Sequence, residues 1–428
     1  MRRRGRTPPR GRPRMSGVVR TEVLVVGGGP SGLSAAAALA PVCRVLVLDR
    51  EVEVGGIPRH SDHTGYGVRD LRTVTTGPKY ARRLVDAARD AGADVRTEAM
   101  VTGWEGERSV EVTTPDGRIT VEADAVVLAT GARERPRTAR LVAGDRPVGV
   151  LSTGLLQNLV HLQHRSPGTR AVVVGSELVS WSAVLTLREA GCRTVLMTTE
   201  RPYGESYAAL RVPASTGLRV PVATRTRVVR VAGRDRVEGV DVLDLATGRR
   251  RHVPCDTVVF TGDWIPDHEL ARLGGLDLDP ATKGPRVDAR LRTSAPGVFA
   301  IGNLVHPVDT ADVAALDGRH VADAVRRWFD GGAAAVPGPG VELVADAPLL
   351  WVAPSVVRPG DGEPARGRLL LWSDERRAVA RVAVQQDGRE LARRTLPWPA
   401  VPGRVLRVPS SVLDGVRTDA GPVRIRLV

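Results

Sequence analysis

The chain has 428 residues, 42% of them hydrophobic, which suits a globular protein of two to four domains at about 100–200 residues each. No apolar run reaches about 18 residues, so we expect no membrane-spanning helix. The formal net charge is +14, and arginines crowd residues 1–14 with no acidic residue among them. No apolar segment follows them, which argues against an export signal. We therefore predict a disordered basic tail over residues 1–18 and no nucleic-acid partner.

The cysteines, Cys43, Cys192 and Cys255, are scattered and form no Cys-x-x-Cys pair. This spacing argues against a redox dithiol, a disulfide framework or a zinc knuckle. The histidines are also dispersed, so we predict no metal site. Unpaired cysteines are typical of a reducing compartment, and we expect a cytoplasmic protein.

An apolar run near the N-terminus leads directly into the sequence GGGPSG at residues 27–32, and Asp49 ends the next apolar run. In such a strand–turn–helix unit, Gly27 makes the tight turn and Gly29 lets the backbone approach a pyrophosphate. Gly32 lets the helix pack close to the strand, and the free N–H groups of the helix N-terminus favour an anion. Asp49 stands where an acid accepts hydrogen bonds from a ribose hydroxyl. The sequence therefore predicts a complete dinucleotide-binding βαβ unit.

The same order of elements occurs twice, in residues 21–131 and again in residues 169–262. Each copy begins with a strand, a glycine turn, a helix and a strand, and each closes with an apolar run that ends in Thr-Gly. Such runs are typical of buried parallel strands. A third glycine-containing strand, TSAPGVFAIGN at residues 293–303, precedes a helix-like stretch from 310 to 329.

This order of motifs resembles the flavoproteins with two dinucleotide-binding domains, of the thioredoxin reductase and pyridine nucleotide-disulfide oxidoreductase type. The resemblance covers residues 20–330. It implies an α/β fold in which a Rossmann-like FAD-binding domain, residues 19–140 and 265–332, carries an inserted second Rossmann-like domain, residues 141–264.

The resemblance also implies an FAD-dependent enzyme and assigns the cofactor contacts. They are Gly27, Gly29, Pro30, Ser31, Gly32, Asp49, Arg50, Gly56, Val101, Thr130, Gly131, Gly302, Asn303, Thr310 and Ala311. Asn303 is a departure, since the family usually has aspartate facing the flavin ribityl chain. Asparagine keeps a carbonyl acceptor and loses the charge, so we expect flavin binding to survive. The helix that follows would direct its positive end at the flavin and stabilise negative charge on reduction.

The second glycine motif is damaged. Gly175 matches the first position and Ser180 is small enough for the third, but Glu177 occupies the place of the second glycine. Two like charges about 4 Å apart cost roughly 4 kcal/mol at an effective dielectric of about 20. NAD(P) binding by the inserted domain is therefore doubtful. The alternative is a local shift that still admits NAD, with Glu200 holding a ribose.

Residues 55–60 and 303–312 carry a closer resemblance, to the FAD subunits of opine oxidase, D-hydroxyproline dehydrogenase and hydrogen cyanide synthase. It implies oxidation of a C–N bond in a small amino- or imino-acid-like substrate. Electrons would pass to a second flavoprotein subunit or a small iron–sulfur protein, because this chain has no cysteine group for a cluster. Two alternatives stay open: an NAD(P)H-dependent flavin reductase without a dithiol, and a non-catalytic FAD-binding scaffold or relay subunit.

Three residues are candidates for chemistry in the site that this resemblance implies. His60 is a candidate base, because an imidazole titrates near neutral pH. Arg59 is a candidate to stabilise a substrate carboxylate or the reduced flavin. His306 follows the third glycine strand and is a candidate to line the active site. The alternatives are surface or phosphate-contacting roles for the first two and local packing for His306.

The C-terminal part of the chain has a different composition. Residues 333–340 are rich in glycine and proline, which predicts a linker. Residues 341–428 contain short β-like runs, with Asp387 and Gly388 marking a hairpin. We predict a small β-sandwich there.

Overall fold

The computed structural model describes residues 17–206, 219–331 and 338–428. The predicted tail over residues 1–18 therefore lies outside the described residues except at its end, where the first strand already includes Val18. Most of the predicted linker 333–340 also lies outside them. None of the helices in these ranges has the length and apolar composition needed to span a bilayer.

The first part of the chain forms a mostly parallel sheet flanked by helices. Its strands and helices are β1 (Val18–Val26), α1 (Pro30–Leu39), β2 (Val45–Leu48), β3 (Thr64–Tyr66), β4 (Thr75–Thr76), α2 (Gly77–Asp90), β5 (Asp94–Arg96), β6 (Met100–Gly106), β7 (Ser109–Thr114) and β8 (Gly117–Leu128). The main sheet has the order β5-β2-β1-β8-β7-β6, and β3 pairs separately with β4. The strands β5, β2, β1 and β8 run parallel. Their apolar side chains are buried, as expected when helices cover a parallel sheet.

Small residues allow α1 to pack closely on this sheet. Proline at the first position of α1 suits a helix start, because the missing N–H would be unpaired there anyway. A Cβ on Gly32 would lie 2.0 Å from the carbonyl oxygen of Gly27, so only glycine fits. The positive φ of Gly27, 109°, gives the tight turn between β1 and α1.

The middle of the chain forms a second parallel sheet with an antiparallel layer. Its elements are β9 (Ala132–Glu134), β10 (Ala143–Gly144), β11 (Val150–Ser152), α3 (Thr153–Gln157), β12 (Arg170–Val174), α4 (Leu178–Glu189), β13 (Arg193–Thr198), β14 (Val222–Ala223), β15 (Thr226–Ala232), β16 (Gly239–Asp244), β17 (Arg250–Pro254), β18 (Thr257–Phe260) and β19 (Trp264–Pro266). The sheets have the orders β11-β18-β12-β13-β14 and β10-β15-β16-β17. The short strands β9 and β19 pair antiparallel where the chain enters and leaves this part.

The chain then returns to the first sheet. Its elements here are α5 (Glu269–Leu273), β20 (Val298–Ala300) and α6 (Ala311–Gly331). β20 pairs parallel with β8 and so completes the first sheet. The helix α6 packs against α1, where a Cβ on Gly318 would lie 2.1 Å from the carbonyl oxygen of Ser31.

The last part of the chain is the predicted β-sandwich. Its strands are β21 (Val341–Ala345), β22 (Leu349–Ala353), β23 (Val356–Val357), β24 (Arg368–Ser373), β25 (Arg381–Gln386), β26 (Arg389–Thr395), β27 (Val405–Pro409) and β28 (Val423–Leu427). They form two sheets, β23-β21-β28-β25-β26 and β22-β24-β27. Apolar side chains from both sheets share one buried core.

Buried ion pairs attach this sandwich to the first sheet. The carboxylate of Asp317 on α6 accepts hydrogen bonds from Arg366 at 2.9 Å and from the imidazole of His306. Arg407 on β27 donates to Asp309 at 2.9 Å. These pairs lie between α6, the loop before it and the sandwich, so they position the end of the first sheet where its third glycine motif lies.

Candidate functional site

A cleft of about 2840 Å³ opens between the first sheet, the inserted part and the C-terminal sandwich. All three parts of the chain contribute to its walls. Its lining contains both glycine turns, the loop after β20 and the start of α6, so it joins the motifs that the sequence singled out.

The turn between β1 and α1 presents an open cradle to this cleft. Gly29 precedes α1 without a side-chain cap, and a Cβ built on it would meet nothing closer than the Cα of Gly56, at 4.0 Å. Gly56 itself has a φ of 62°, and a Cβ there would lie 3.0 Å from the Cα of Gly29. Pro30 and Ser31 complete the cradle. The free N–H groups at the start of this ten-residue helix therefore face space that suits a pyrophosphate.

Asp49 lies at the end of β2 beside this cradle. Its carboxylate accepts hydrogen bonds from the backbone N–H of Gly28 at 2.7 Å and of Glu51 at 2.8 Å. Burial raises the pKa of this carboxyl, and the two N–H groups partly offset that effect. The neighbouring Arg50 and, on β6, Val101 line the same part of the cleft.

The other end of the cleft holds the third glycine motif. Asn303 donates from its amide nitrogen to the carbonyl oxygen of Asp309 at 3.0 Å. Its Oδ1 is buried and finds no hydrogen-bond partner among the described residues. An unpaired carbonyl oxygen in a cleft suits a hydroxyl donor, as the retained acceptor of asparagine predicts. Thr310 and Ala311 follow, where α6 begins.

Glycine conformations and strand ends connect these two regions. Gly302 has a φ of 67°, and a Cβ there would lie 2.7 Å from the hydroxyl of Ser31. Gly131 has a φ of 75°. The hydroxyl of Thr130 donates to the carbonyl oxygen of Asp267 at 2.7 Å, which ties the end of β8 to the segment after β19. The structure thus places the residues assigned to cofactor binding in the lining of this one cleft, except Gly32 and Gly302, which are absent from that lining.

The candidate residues for chemistry are placed differently from one another. His60 lines the cleft, and burial together with the charge of Arg59 lowers its pKa to about 4, so the imidazole is neutral at pH 7. Arg59 donates to the carbonyl oxygen of Glu53 at 2.6 Å and lies 3.6 Å from the carboxylate of Glu51. The guanidinium of Arg59 is therefore already paired with groups of the loop after β2.

His306 lies behind the cleft rather than in its wall. Its imidazole is 3% exposed and hydrogen-bonded to Asp317. Although burial raises the pKa of Asp317, the charges of His306 and Arg366 hold it at about 2. The expectation that His306 lines the active site is not supported by this position, because the residue after Val305 turns into the interface with α6. It corresponds to the local packing alternative.

The second glycine turn is filled from within. Glu177 accepts hydrogen bonds from the backbone N–H of Ser176 at 2.9 Å and from the hydroxyl of Thr261 at 3.0 Å. A Cβ on Gly262 would lie 2.0 Å from Oε1 of Glu177, and one on Gly175 would lie 2.8 Å from Oε2. The carboxylate therefore occupies the space between the two glycine turns of the inserted domain.

The C-terminal sandwich covers the mouth of this second turn. Arg201, after β13, forms an ion pair with the carboxylate of Asp374 and donates to its carbonyl oxygen at 2.9 Å. The guanidinium of Arg376 lies 5.5 Å from the ring centroid of Tyr203. A Cβ on Gly403 would lie 3.1 Å from the Cβ of Glu205.

Three cleft residues were not found from the sequence. Glu134 on β9 and Thr153 and Gln157 on α3 are buried polar residues in the cleft wall. Glu134 accepts a hydrogen bond from the backbone N–H of Gly154 at 2.8 Å. No local pattern marks these residues, because their proximity depends on how the inserted part folds back on the first sheet.

The thiols take no part in the cleft. Cys43, Cys192 and Cys255 form no disulfide and are absent from the cleft lining. Burial raises the pKa of Cys192 to about 12 and that of Cys255 to about 11, so both are protonated at neutral pH. The chain therefore has no pair of reactive thiols beside the site.

Comparison with known proteins agrees with this geometry. The family described as pyridine nucleotide-disulphide oxidoreductase matches residues 21–318. The chain belongs to this family. It is therefore an FAD-dependent oxidoreductase of the two-dinucleotide-binding-domain type, and the family also uses NAD(P). Asn303, with its unpaired oxygen, and the open cradle at Gly29 are the observations in this chain that fit FAD.

The relatives include reductases and a component of an oxidase. The chain is 30% identical over 340 residues to ferredoxin–NADP reductase of Saccharopolyspora erythraea, covering 77% of this chain and 95% of that protein. It is 28% identical over 313 residues to an opine oxidase subunit of Rhizobium meliloti, covering 66% of this chain but only 58% of the relative.

A solved structure gives the same fold. Thioredoxin reductase of T. acidophilum superposes with a TM-score of 0.60 at 24% identity, covering 72% of this chain and 97% of that chain. This similarity concerns the fold alone.

Proposed function

We propose that this chain is the FAD-dependent subunit of an oxidoreductase that oxidises a C–N bond in an amino- or imino-acid-like molecule. Its electrons would leave to a second flavoprotein subunit or a small iron–sulfur protein. The observation that carries this proposal is the carboxylate of Glu177, which fills the second dinucleotide turn. An oxidoreductase with that turn filled and no dithiol needs both another electron donor and another acceptor. The likeness to an opine oxidase subunit supports an amine as the donor.

When bound, FAD supplies a two-electron acceptor. The residues of this chain would hold it at its two ends: the start of α1 at the pyrophosphate, and Asn303 at a hydroxyl-bearing chain. The start of α6, a 21-residue helix, faces the cleft and favours negative charge there. His60 is neutral at pH 7 and has an unpaired Nδ1 among the described residues, so it is available to accept a hydrogen bond from the substrate, although its lowered pKa makes it a weaker base than the sequence predicted.

Anaerobic reduction of the purified flavoprotein tests this function. We expect secondary amines or imino acids to bleach the flavin absorbance, and NADH and NADPH to leave it unchanged over the same time. Rapid bleaching by NADH or NADPH without any amine effect would contradict the proposal.

The second candidate is an NAD(P)H-dependent flavin reductase without a dithiol. The likeness to ferredoxin–NADP reductase favours it, and bleaching by NADPH would select it. A non-catalytic FAD scaffold is the third candidate. It would be selected if bound FAD is reduced by neither class of donor. We further propose a cytoplasmic location, on the ground of the unpaired cysteines.

A further inference from the structure

Three buried polar atoms in the cleft wall have no hydrogen-bond partner in the part of the chain that the structure describes. They are Oε1 of Glu134, the hydroxyl of Thr153 and Nδ1 of His60. Each belongs to a buried side chain, exposed by 9%, 1% and 8% respectively, and each residue lines the cleft. Buried polar groups are normally paired, so unpaired ones around a cavity mark the place of a ligand.

The fold brings these atoms together from two domains. The helix α3 contacts both β9 and the turn Ile57–His60. At the start of α3, the N–H of Gly154 holds the other oxygen of Glu134 at 2.8 Å, and the Thr153 side chain acts on the same carboxylate. At its end, Gln157 acts on His60. Thr153 and Gln157 stand four positions apart on α3, a rise of about 6 Å, so Glu134 and His60 are held at neighbouring places in the cleft wall.

The charges around this pocket select the kind of ligand. Glu134 is close enough to Glu177 for the second carboxylate to raise the pKa of the first, after the larger effect of burial. The guanidinium of Arg140 also acts on Glu134, but its N–H groups donate to the carbonyl oxygens of Arg135, Thr261 and Gly262. His60 is a neutral imidazole. The pocket therefore offers hydrogen-bond acceptors and disfavours an anion, and a bound cation would offset the cost of burying the Glu134 charge beside Glu177.

We propose that Glu134, with Thr153 and His60, binds the protonated amino group of a small ligand in this pocket. This inference rests on the proposed function in one respect: it takes the ligand to be the amine that is oxidised. A buried carboxylate whose Oε1 has no hydrogen-bond partner among the described residues gains most from a compact cation that donates to it directly. The Gly154 N–H then positions Glu134 by holding the oxygen that the ligand does not use.

Binding of a matched pair of probes to the FAD-loaded protein, with its flavin chemically reduced beforehand so that the amine cannot be oxidised, tests the site without turnover. Pyrrolidinium carries the charged amino group, and tetrahydrofuran has the same ring with an oxygen in its place. We expect calorimetry at pH 7 to show tighter binding of pyrrolidinium. The variant Glu134→Gln should weaken pyrrolidinium about 10- to 100-fold and leave tetrahydrofuran unchanged, since hydrogen bonds to charged groups are the strong ones.

Glu200→Gln is the matched control, because Glu200 lines the same cleft but is already paired with Arg227 at 2.6 Å. It should change pyrrolidinium affinity less than about twofold. If Glu134→Gln does not fold, Thr153→Val serves instead, since that hydroxyl is buried in the cleft wall and acts on the Glu134 carboxylate. It should weaken pyrrolidinium about 2- to 10-fold. Equal affinity for the two probes, or a pyrrolidinium affinity that neither Glu134→Gln nor Thr153→Val lowers, would overturn the proposal.

The outcomes separate this site from the proposed function. If pyrrolidinium binding depends on Glu134 but no amine reduces the flavin, the proposed cation site is supported and the proposed C–N oxidation is refuted. If an amine reduces the flavin but Glu134→Gln leaves pyrrolidinium binding unchanged, the proposed C–N oxidation is supported and the proposed cation site is refuted.

Discussion

The two dinucleotide modules share the order strand, glycine turn, helix and strand, but the first turn is open and the second is filled by a side chain. In the first, Gly29 precedes α1 with open space beside it, the nearest atom being 4.0 Å from a Cβ built there. In the second, the equivalent turn before α4 carries Glu177, whose carboxylate would lie 2.0 Å from a Cβ on Gly262. The first turn therefore leaves room for an anionic pyrophosphate, whereas the Glu177 carboxylate already occupies the corresponding place in the second turn.

The C-terminal sandwich also makes different contacts with the two modules. It is fixed to the first through buried pairs such as Asp317 with Arg366, and to the second through the half-exposed pair of Arg201 with Asp374. Buried pairs of this kind are costly to break, whereas exposed pairs contribute about 0–1 kcal/mol. The first module is thus held rigidly to the sandwich, and the second is covered by a weaker contact.

The largest expected effect is loss of the cofactor from the first module. Gly29→Glu places a carboxylate where the pyrophosphate approaches α1 and should abolish FAD binding, measured by absorbance and by flavin released on acid treatment. Gly103→Ala is the control, because a Cβ there meets nothing within 4 Å. Retention of stoichiometric FAD by Gly29→Glu would show that the two turns do not differ in the way proposed.

The reverse change in the second module should restore binding. Glu177→Gly removes the carboxylate and should raise the affinity for NADH by about 10- to 1000-fold, the upper value corresponding to roughly 4 kcal/mol of like-charge repulsion. Calorimetry with NADH measures it. The native protein should bind weakly or not at all. Micromolar binding of NADH by the native protein, or an unchanged NADH affinity in Glu177→Gly, would show that Glu177 does not block the dinucleotide turn.

Sequence reasoning could predict the features that depend on neighbours in the chain. The glycine motif at residues 27–32 and Glu177 in place of a glycine in the second motif are local features, since each stands where a helix begins. His306 and Glu134 show the limit. His306 forms a buried pair with Asp317, which lies eleven residues later on α6. Which side of α6 faces His306 depends on how that helix packs, and the local sequence does not show this. Glu134 lines the cleft only because β9 and β19 pair across an intervening domain.

The buried attachment of the first module to the sandwich should be visible in stability. Asp317→Asn leaves His306 and Arg366 without their carboxylate and should lower the free energy of unfolding by about 3–5 kcal/mol. Asp374→Asn, on the exposed contact, should lower it by less than about 1 kcal/mol. Denaturant titration of both variants measures the difference, and equal losses would contradict the distinction between the two contacts.

The pH dependence of that loss has a definite sign. The folded-state pKa of Asp317, about 2, lies below its ordinary value of 3.8. The stabilisation is therefore complete above about pH 4 and disappears as the pH falls toward 2. The stability difference between the native protein and Asp317→Asn should narrow over that range. A difference that stays constant down to pH 2 would show that the Asp317 charge does not contribute to it.

The smallest expected effect concerns the cover over the second module. In the Glu177→Gly background, Asp374→Asn removes one carboxylate partner of Arg201, which lines the cleft and keeps its contacts with the carbonyl oxygen of residue 374 and with Glu205. The less neutralised guanidinium favours the extra phosphate of NADPH, so the ratio of NADPH to NADH affinity should rise by up to about fivefold, the value of one exposed ion pair. Arg201→Gln in the same background is the control and should remove the gain. If the ratio is the same with and without Asp374, the sandwich covers the turn without influencing which dinucleotide enters, and closure then depends on Glu177 alone.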